Sequence, residues 1–124
     1  MNDLTPQTDL ELLTLAAKAT GVVFDQEKSM PHPLSGAFWG LWLQIKGEPY
    51  EGQRRYWSPH TDDGDCARME AALGIQVAWH SDGVVCGLRW AGATELFDGH
   101  GGDKQAARRM ASLRVAAEHG KAMP

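Results

Sequence analysis

An α+β fold is what this sequence predicts, arranged as one three-layer α/β/α sandwich with a mainly antiparallel sheet spanning residues 1–124. Three observations carry that expectation. Apolar residues recur at helical spacing near both ends of the chain. The segment Ala37 to Ile45 is apolar on both faces, so it needs cover on both sides. Two alternating segments flank Asp82-Gly83, a pair favoured in two-residue hairpin turns. A chain of 124 residues holds one self-standing core and leaves no room for a second.

Taken in order, Thr5-Pro6 and then Thr8 with Glu11 offer caps for a first helix that runs to about Ala19. Its broad apolar arc (Leu10, Leu12, Leu13, Leu15, Ala16, Ala17, Ala19) marks it as a core element, and Gly21 suits its C-terminal cap. Val22-Val23-Phe24 reads as a short strand. Residues 25–36, with Pro31, Pro33 and Gly36, read as loop, and His32 between the prolines is solvated. Ala37 to Ile45 follows as a strand, with Trp39, Leu41, Leu43 and Ile45 on one face and Phe38 and Trp42 beside Gly40 and Gln44 on the other. Lys46 to Tyr56 is a surface loop.

Beyond that loop, Cys66, Met69 and Leu73 form one stripe of a second helix, closed by Gly74. A type I′ turn at Asp82-Gly83 then pairs Ile75 with Trp90, Val77 with Leu88 and Trp79 with Cys86 on a bulky face. Gln76 with Arg89, Ala78 with Gly87 and His80 with Val85 form a smaller, mixed face, over which an alanine-rich helix would fit. A short strand near Thr94 to Phe97 leads through Gly99 to Gly102, a flexible connection, to that helix. It is capped by Asp103 and reaches about His119, with Ala106, Met110, Leu113 and Ala117 inward, Ala107 beside them, and Lys104, Arg108 and Ser112 outward.

Composition narrows the function classes. Twelve Lys and Arg against sixteen Asp and Glu give a net charge of -4, which disfavours broad nucleic-acid or anionic-membrane binding. No apolar run approaches the ~20 residues of a membrane span, and Met1 to Asp9 lacks the basic and apolar regions of a secretory signal, so a cytoplasmic protein is expected. The two cysteines, Cys66 and Cys86, fall on apolar positions and read as inert buried thiols rather than a bridge or a nucleophile.

The densest stretch is Trp57-Ser58-Pro59-His60-Thr61-Asp62-Asp63-Gly64-Asp65-Cys66-Ala67-Arg68. Carboxylates at a helix start cap free N–H groups and match the positive helix end, which accounts for most of Asp62, Asp63 and Asp65. A metal reading recruits His60 to the same carboxylates, but the spacing lacks the terminal Glu of a calcium-binding loop and a second histidine at helical spacing. His60, His80 and His100 are evenly spaced in sequence, which implies nothing about proximity. Gly99 to Lys104 fails the phosphate-loop pattern. Lys104, Arg108, Arg109 and Arg114 make the last helix basic: a solvated face, or one that receives an acidic partner or the carboxylates of a second copy. No complete catalytic set, metal set or cofactor motif is present in the sequence. Trp57, Pro59, His60, Asp62, Asp63 and Asp65 are therefore candidate binding residues, with Trp57 on an exposed loop and His60 as the first positions to inspect.

The chain resembles small proteins of tailed phages and prophages described as phage alpha-beta-alpha sandwich domains, similar to the NinX-type group. The features that carry the likeness are Leu10 to Gly21, Trp57-Ser58-Pro59, Asp62-Asp63-Gly64-Asp65-Cys66-Ala67, and Ala106-Ala107-Arg108-Arg109 through Ala116-Ala117-Glu118-His119-Gly120. Ser58 stands where Asn is usual, and the Pro31 to Tyr56 region is long. The resemblance implies a three-layer fold and a phage or prophage origin, with no catalytic residues to carry over. The expected function is that of a small non-enzymatic accessory protein that binds a host or phage protein, or a copy of itself. The alternative is a small-ligand or metal-binding protein, hydrolytic or not, built on His60, Asp62, Asp63 and Asp65.

Overall fold

A computed structural model of the protein describes residues 8–44, 56–89 and 91–124. The Thr5-Pro6 cap, Ile45, most of the Lys46 to Tyr56 loop and Trp90 lie outside the described residues. The fold is α+β. Among the described residues, three helices accompany two separate three-stranded antiparallel sheets.

Helix α1 spans Asp9–Thr20; its N-cap Thr8 accepts the N–H of Glu11, and Gly21 closes it in the left-handed conformation. Leu12, Leu13, Ala16 and Ala17 are buried, as the apolar arc requires. The first sheet has the order β1 (Phe24–Asp25), β2 (Leu41–Leu43), β3 (Tyr56–Trp57), with Leu41 opposite Trp57.

The strand expected over Ala37 to Ile45 is thus reduced to three residues. The reason lies at Gly40, whose φ of 130° is open to glycine alone and whose bare Cα lies against Ser58 Oγ and the Trp57 carbonyl. The chain turns there, so Leu41 is buried while Trp39 keeps 61% of its surface exposed.

Helix α2 (Asp63–Leu73) begins at the N-cap Asp62 and ends at Gly74, also left-handed. Cys66 and Met69 enter the core, with Leu73 partly buried. The second sheet has the order β4 (Gln76–Trp79), β5 (Gly83–Gly87), β6 (Gly92–Leu96).

Its hairpin is shifted from the expected register. Val77 faces Cys86 and Trp79 faces Val84, and the tight turn is Ser81-Asp82, closed by His80 N–H to the Gly83 carbonyl at 2.8 Å. Neither turn residue has positive φ, so the turn is not type I′. Gly83 lies instead in β5, where an added Cβ would come within 2.8 Å of the Glu95 carbonyl of β6. A slip of two residues leaves every side chain on its expected face.

Residues Phe97–His100 form a 3-10 turn, held by Phe97 N–H to the Asp82 carbonyl at 3.0 Å, so the link into α3 is structured rather than a loose connection. Helix α3 (Lys104–Ala122), capped by Asp103, packs against α1, β5 and β6. It covers the bulky face of the hairpin, where Val84 and Cys86 are fully buried, and not the small face as expected. Gln76 and Ala78 of that small face remain exposed. The inward stripe of α3 is also rotated from the expected one. Ala107, Ala111, Ser112, Leu113, Val115, Ala116 and Ala117 are buried, whereas Ala106 and Met110 are only half-buried. The helix continues through Gly120, which is buried against α1. No described helix is long and apolar enough to cross a membrane.

Candidate functional site

The stretch from Trp57 to Arg68 forms a tight turn feeding α2. Backbone N–H groups of Thr61 and Asp62 both reach the Ser58 carbonyl, at 3.0 and 2.8 Å. Ser58 Oγ donates to the Trp39 carbonyl, which ties the turn to the first sheet. Trp57, paired into β3, is 7% exposed, and Pro59 is fully buried. The exposed-loop tryptophan expected at position 57 is therefore a core residue, because strand pairing with Leu41 turns its indole inward.

Each of the three carboxylates has a partner within the chain. Asp62 accepts the Asp65 N–H at 2.8 Å, the capping role expected of it. Asp65, 5% exposed, accepts the Ser58 N–H at 2.9 Å on one oxygen and Arg68 at 2.6 Å on the other. Asp63 pairs with Arg109 of α3 at 2.6 Å, and Arg109 Nε also donates to the His60 carbonyl at 3.1 Å. Among the described residues, no three His, Cys, Asp or Glu side chains come together in a way that could hold a metal ion.

His60 packs its ring on Phe38, with centroids 5.7 Å apart and the rings tilted by 38°. Its Nδ1 is enclosed and meets no hydrogen-bond partner among the described residues. Burial holds its pKa below the usual 6.5, against the opposing attraction of Asp9 and with a smaller push from Arg109. His80 is exposed at the end of β4, and His100 bonds Glu95 at 2.8 Å.

The basic face of α3 is engaged inside the chain. Arg108 binds Glu70 of α2, Arg109 binds Asp63, and Arg114 lies 3.2 Å from Glu95. The three arginines thus depart from the expected solvated face, Lys104 stays exposed with its Nζ 5.5 Å from the Phe97 ring centroid, and the pairing of Asp63 with Arg109 occurs within one copy. Ser112, expected to point outward, is fully buried and donates to Glu70 Oε2 at 2.5 Å.

Glu70, which helical periodicity alone does not mark out, is the centre of a buried polar network. Its carboxylate receives two guanidinium N–H groups of Arg108, the Ser112 hydroxyl and the Cys66 thiol, with Cys66 Sγ at 3.7 Å. Ser112 Oγ also lies 3.2 Å from Cys86 Sγ. The signal lay in two i, i+4 pairs, Cys66 with Glu70 and Arg108 with Ser112, which put polar and core positions on one helix face. Both cysteines are buried and free. Burial, with the nearby Glu70 charge, pushes the Cys66 thiol up to about 12, and burial raises Cys86 as well, so neither is a nucleophile at neutral pH.

A second site adjoins the turn. Met30, Pro31, Pro33, Phe38, Trp39 and Tyr56 line an open cleft of about 260 Å³. The Trp39 and Tyr56 rings stand 6.2 Å apart, Tyr56 meets Trp42 edge-on at 5.2 Å, and Lys28 Nζ lies 5.4 Å above the Trp42 ring. Met30 is 55% exposed and Leu34 93% exposed on the same segment. Sequence periodicity placed Trp39 on a buried strand face, and the Gly40 turn reverses that assignment. No family model, no curated protein and no solved structure matches this chain.

Proposed function

We propose that the protein is a non-enzymatic binding protein whose recognition surface is the aromatic cleft centred on Trp39. The observation that carries this reading is the 61% exposure of Trp39 on the cleft rim, next to Tyr56. Covering that much of an indole is worth about 2–4 kcal/mol by area, and tryptophan and tyrosine in a cleft are the side chains that dominate protein interfaces. The cluster from Asp62 to Asp65 is occupied in capping and ion pairs, so the candidate binding residues shift from Trp57 and the carboxylates to the neighbouring Phe38, Trp39 and Tyr56. His60 stays at the edge of the surface through its contact with Phe38.

The partner in this reading is a host or phage protein in the bacterial cytoplasm, the setting that the resemblance to phage alpha-beta-alpha sandwich proteins implies. The three-layer arrangement implied with it needs cover on both faces of the β4, β5 and β6 sheet; α3 supplies one cover, and the face carrying Gln76 and Ala78 is left exposed.

The test compares immobilised wild-type protein with Trp39→Ala and with Glu118→Ala, a substitution on the exposed side of α3, in bacterial lysate. One polypeptide is expected with wild type and Glu118→Ala, reduced about tenfold or more with Trp39→Ala. A mass of two chains in solution that Trp39→Ala reduces to one would make the partner a second copy. Equal recovery with Trp39→Ala, or no recovery together with a monomeric mass, overturns the reading.

A further inference from the structure

We propose that His60 is an acid-sensitive latch: protonation expels its ring from beneath Phe38 and loosens the cleft wall that Phe38 forms. The link to binding rests on the reading of the cleft given above, whereas the latch rests on the contacts of His60 alone. Phe38 is common to both, since it lines the cleft and packs on the His60 ring at 5.7 Å.

The chemistry follows from the enclosed Nδ1, which has no hydrogen-bond partner among the described residues. A neutral imidazole fits that environment by carrying its proton on Nε2 and leaving a bare lone pair at Nδ1. The imidazolium does not fit, because both nitrogens then carry N–H groups and a charged donor is left facing no acceptor. Expulsion of the ring into water relieves that penalty.

The charged groups around the ring come from three helices. Asp9 in the first turn of α1 attracts the imidazolium, and Arg109 of α3 repels it. Arg109 is tied in turn to Asp63 of α2 and to the His60 carbonyl. The backbone of the turn stays anchored by Ser58, through Asp65 and the Trp39 carbonyl, so the motion is confined to the His60 and Phe38 rings.

The experiment is an NMR titration of the full chain, free of any partner, following the His60 ring, the Phe38 ring and the Arg109 Nε–H. His60 is expected to titrate with a midpoint below 6.5, and the Phe38 signals to move with the same midpoint. Asp9→Asn removes an attraction and should lower that midpoint further, and the midpoint of the Phe38 signals should fall with it, a coupled shift that a purely structural His60 would not produce. His60→Gln should abolish the Phe38 response. A midpoint at or above 6.5, a Phe38 ring unmoved through the His60 titration, or an unshifted midpoint in Asp9→Asn overturns the latch. Because no partner is present, loss of the cleft reading in the Trp39→Ala comparison leaves this result intact, and the reverse also holds.

Discussion

The carbonyl oxygen of Leu15 in α1 lies so close to the Cα of Gly120 in α3 that any Cβ there would overlap it. The two helices meet at this point because one of them presents no side chain. Alanine would add about 1 kcal/mol of helix propensity, but forcing the helices apart costs about 1–3 kcal/mol in a packed core, and here the obstacle is backbone. Gly120→Ala is expected to lower stability in urea, while Gly99→Ala, with nothing within 4 Å of the added Cβ and φ outside the positive range, stays near neutral. Equal effects would mean that α1 and α3 separate freely.

The three carboxylates of the turn should separate in the order Asp65, Asp62, Asp63. Asp65→Ala strands the buried Ser58 N–H and loses Arg68, for about 2 kcal/mol. Asp62→Ala removes a helix cap, for about 1 kcal/mol. Asp63→Ala breaks a pair whose acid side chain is 57% exposed, for about 0.5 kcal/mol or less. Urea midpoints of the three variants check the order.

Glu70→Ala leaves Arg108 and the buried Ser112 hydroxyl without their acceptor. A loss of about 3 kcal/mol is expected, the low end for a broken buried pair because the Arg108 side chain keeps 22% exposure. Removing both charges in Glu70→Leu with Arg108→Met should return much of that loss. A double-mutant cycle in urea measures it, and strictly additive losses would show that the two side chains are uncoupled.

Both thiols should resist alkylation in the folded chain. With Cys66 pushed up to about 12, its thiolate fraction at pH about 8 is roughly one in ten thousand, and both sulfurs are shielded. Mass spectrometry after iodoacetamide treatment should show no label under native conditions and two labels in denaturant. Rapid native labelling would place a cysteine at the surface.

Acid should weaken the fold at His60. Its folded pKa lies below the unfolded 6.5, so the unfolded chain takes up the proton first. The contribution is complete above 6.5, is lost as pH falls through 6.5, and levels off below the folded value. Urea midpoints between pH about 7.5 and about 5.5 should therefore fall more steeply for wild type than for His60→Gln. Parallel slopes would remove His60 from the account.

Local chemistry was legible at the helix ends and along the core stripe of α2, though not at the Asp82-Gly83 turn. Thr8, Asp62 and Asp103 cap helices, Gly21 and Gly74 close them, and Cys66 and Met69 face the core, because each of these roles is fulfilled within one or two turns of the chain. The candidate site was legible only in part. Local spacing marks the turn and its capping carboxylates but puts Trp57 outside and Trp39 inside, the reverse of what strand pairing at Leu41 and the bend at Gly40 produce.

The sequence by itself determined the helices, their caps, the antiparallel hairpin and the side chains that share each of its faces, since those follow from periods of 3.6 and 2 and from capping geometry. Only the tertiary structure decided which hairpin face α3 covers, that the described strands divide into two sheets, that Gly83 is a close-approach point rather than a turn residue, and that Gly120 is another such point within α3. It also decided that Glu70 reaches Arg108 and Ser112 across 38 and 42 residues of chain. The reason is physical: local propensities are set within a few bonds, whereas burial and ion pairing depend on which distant surfaces exclude water together.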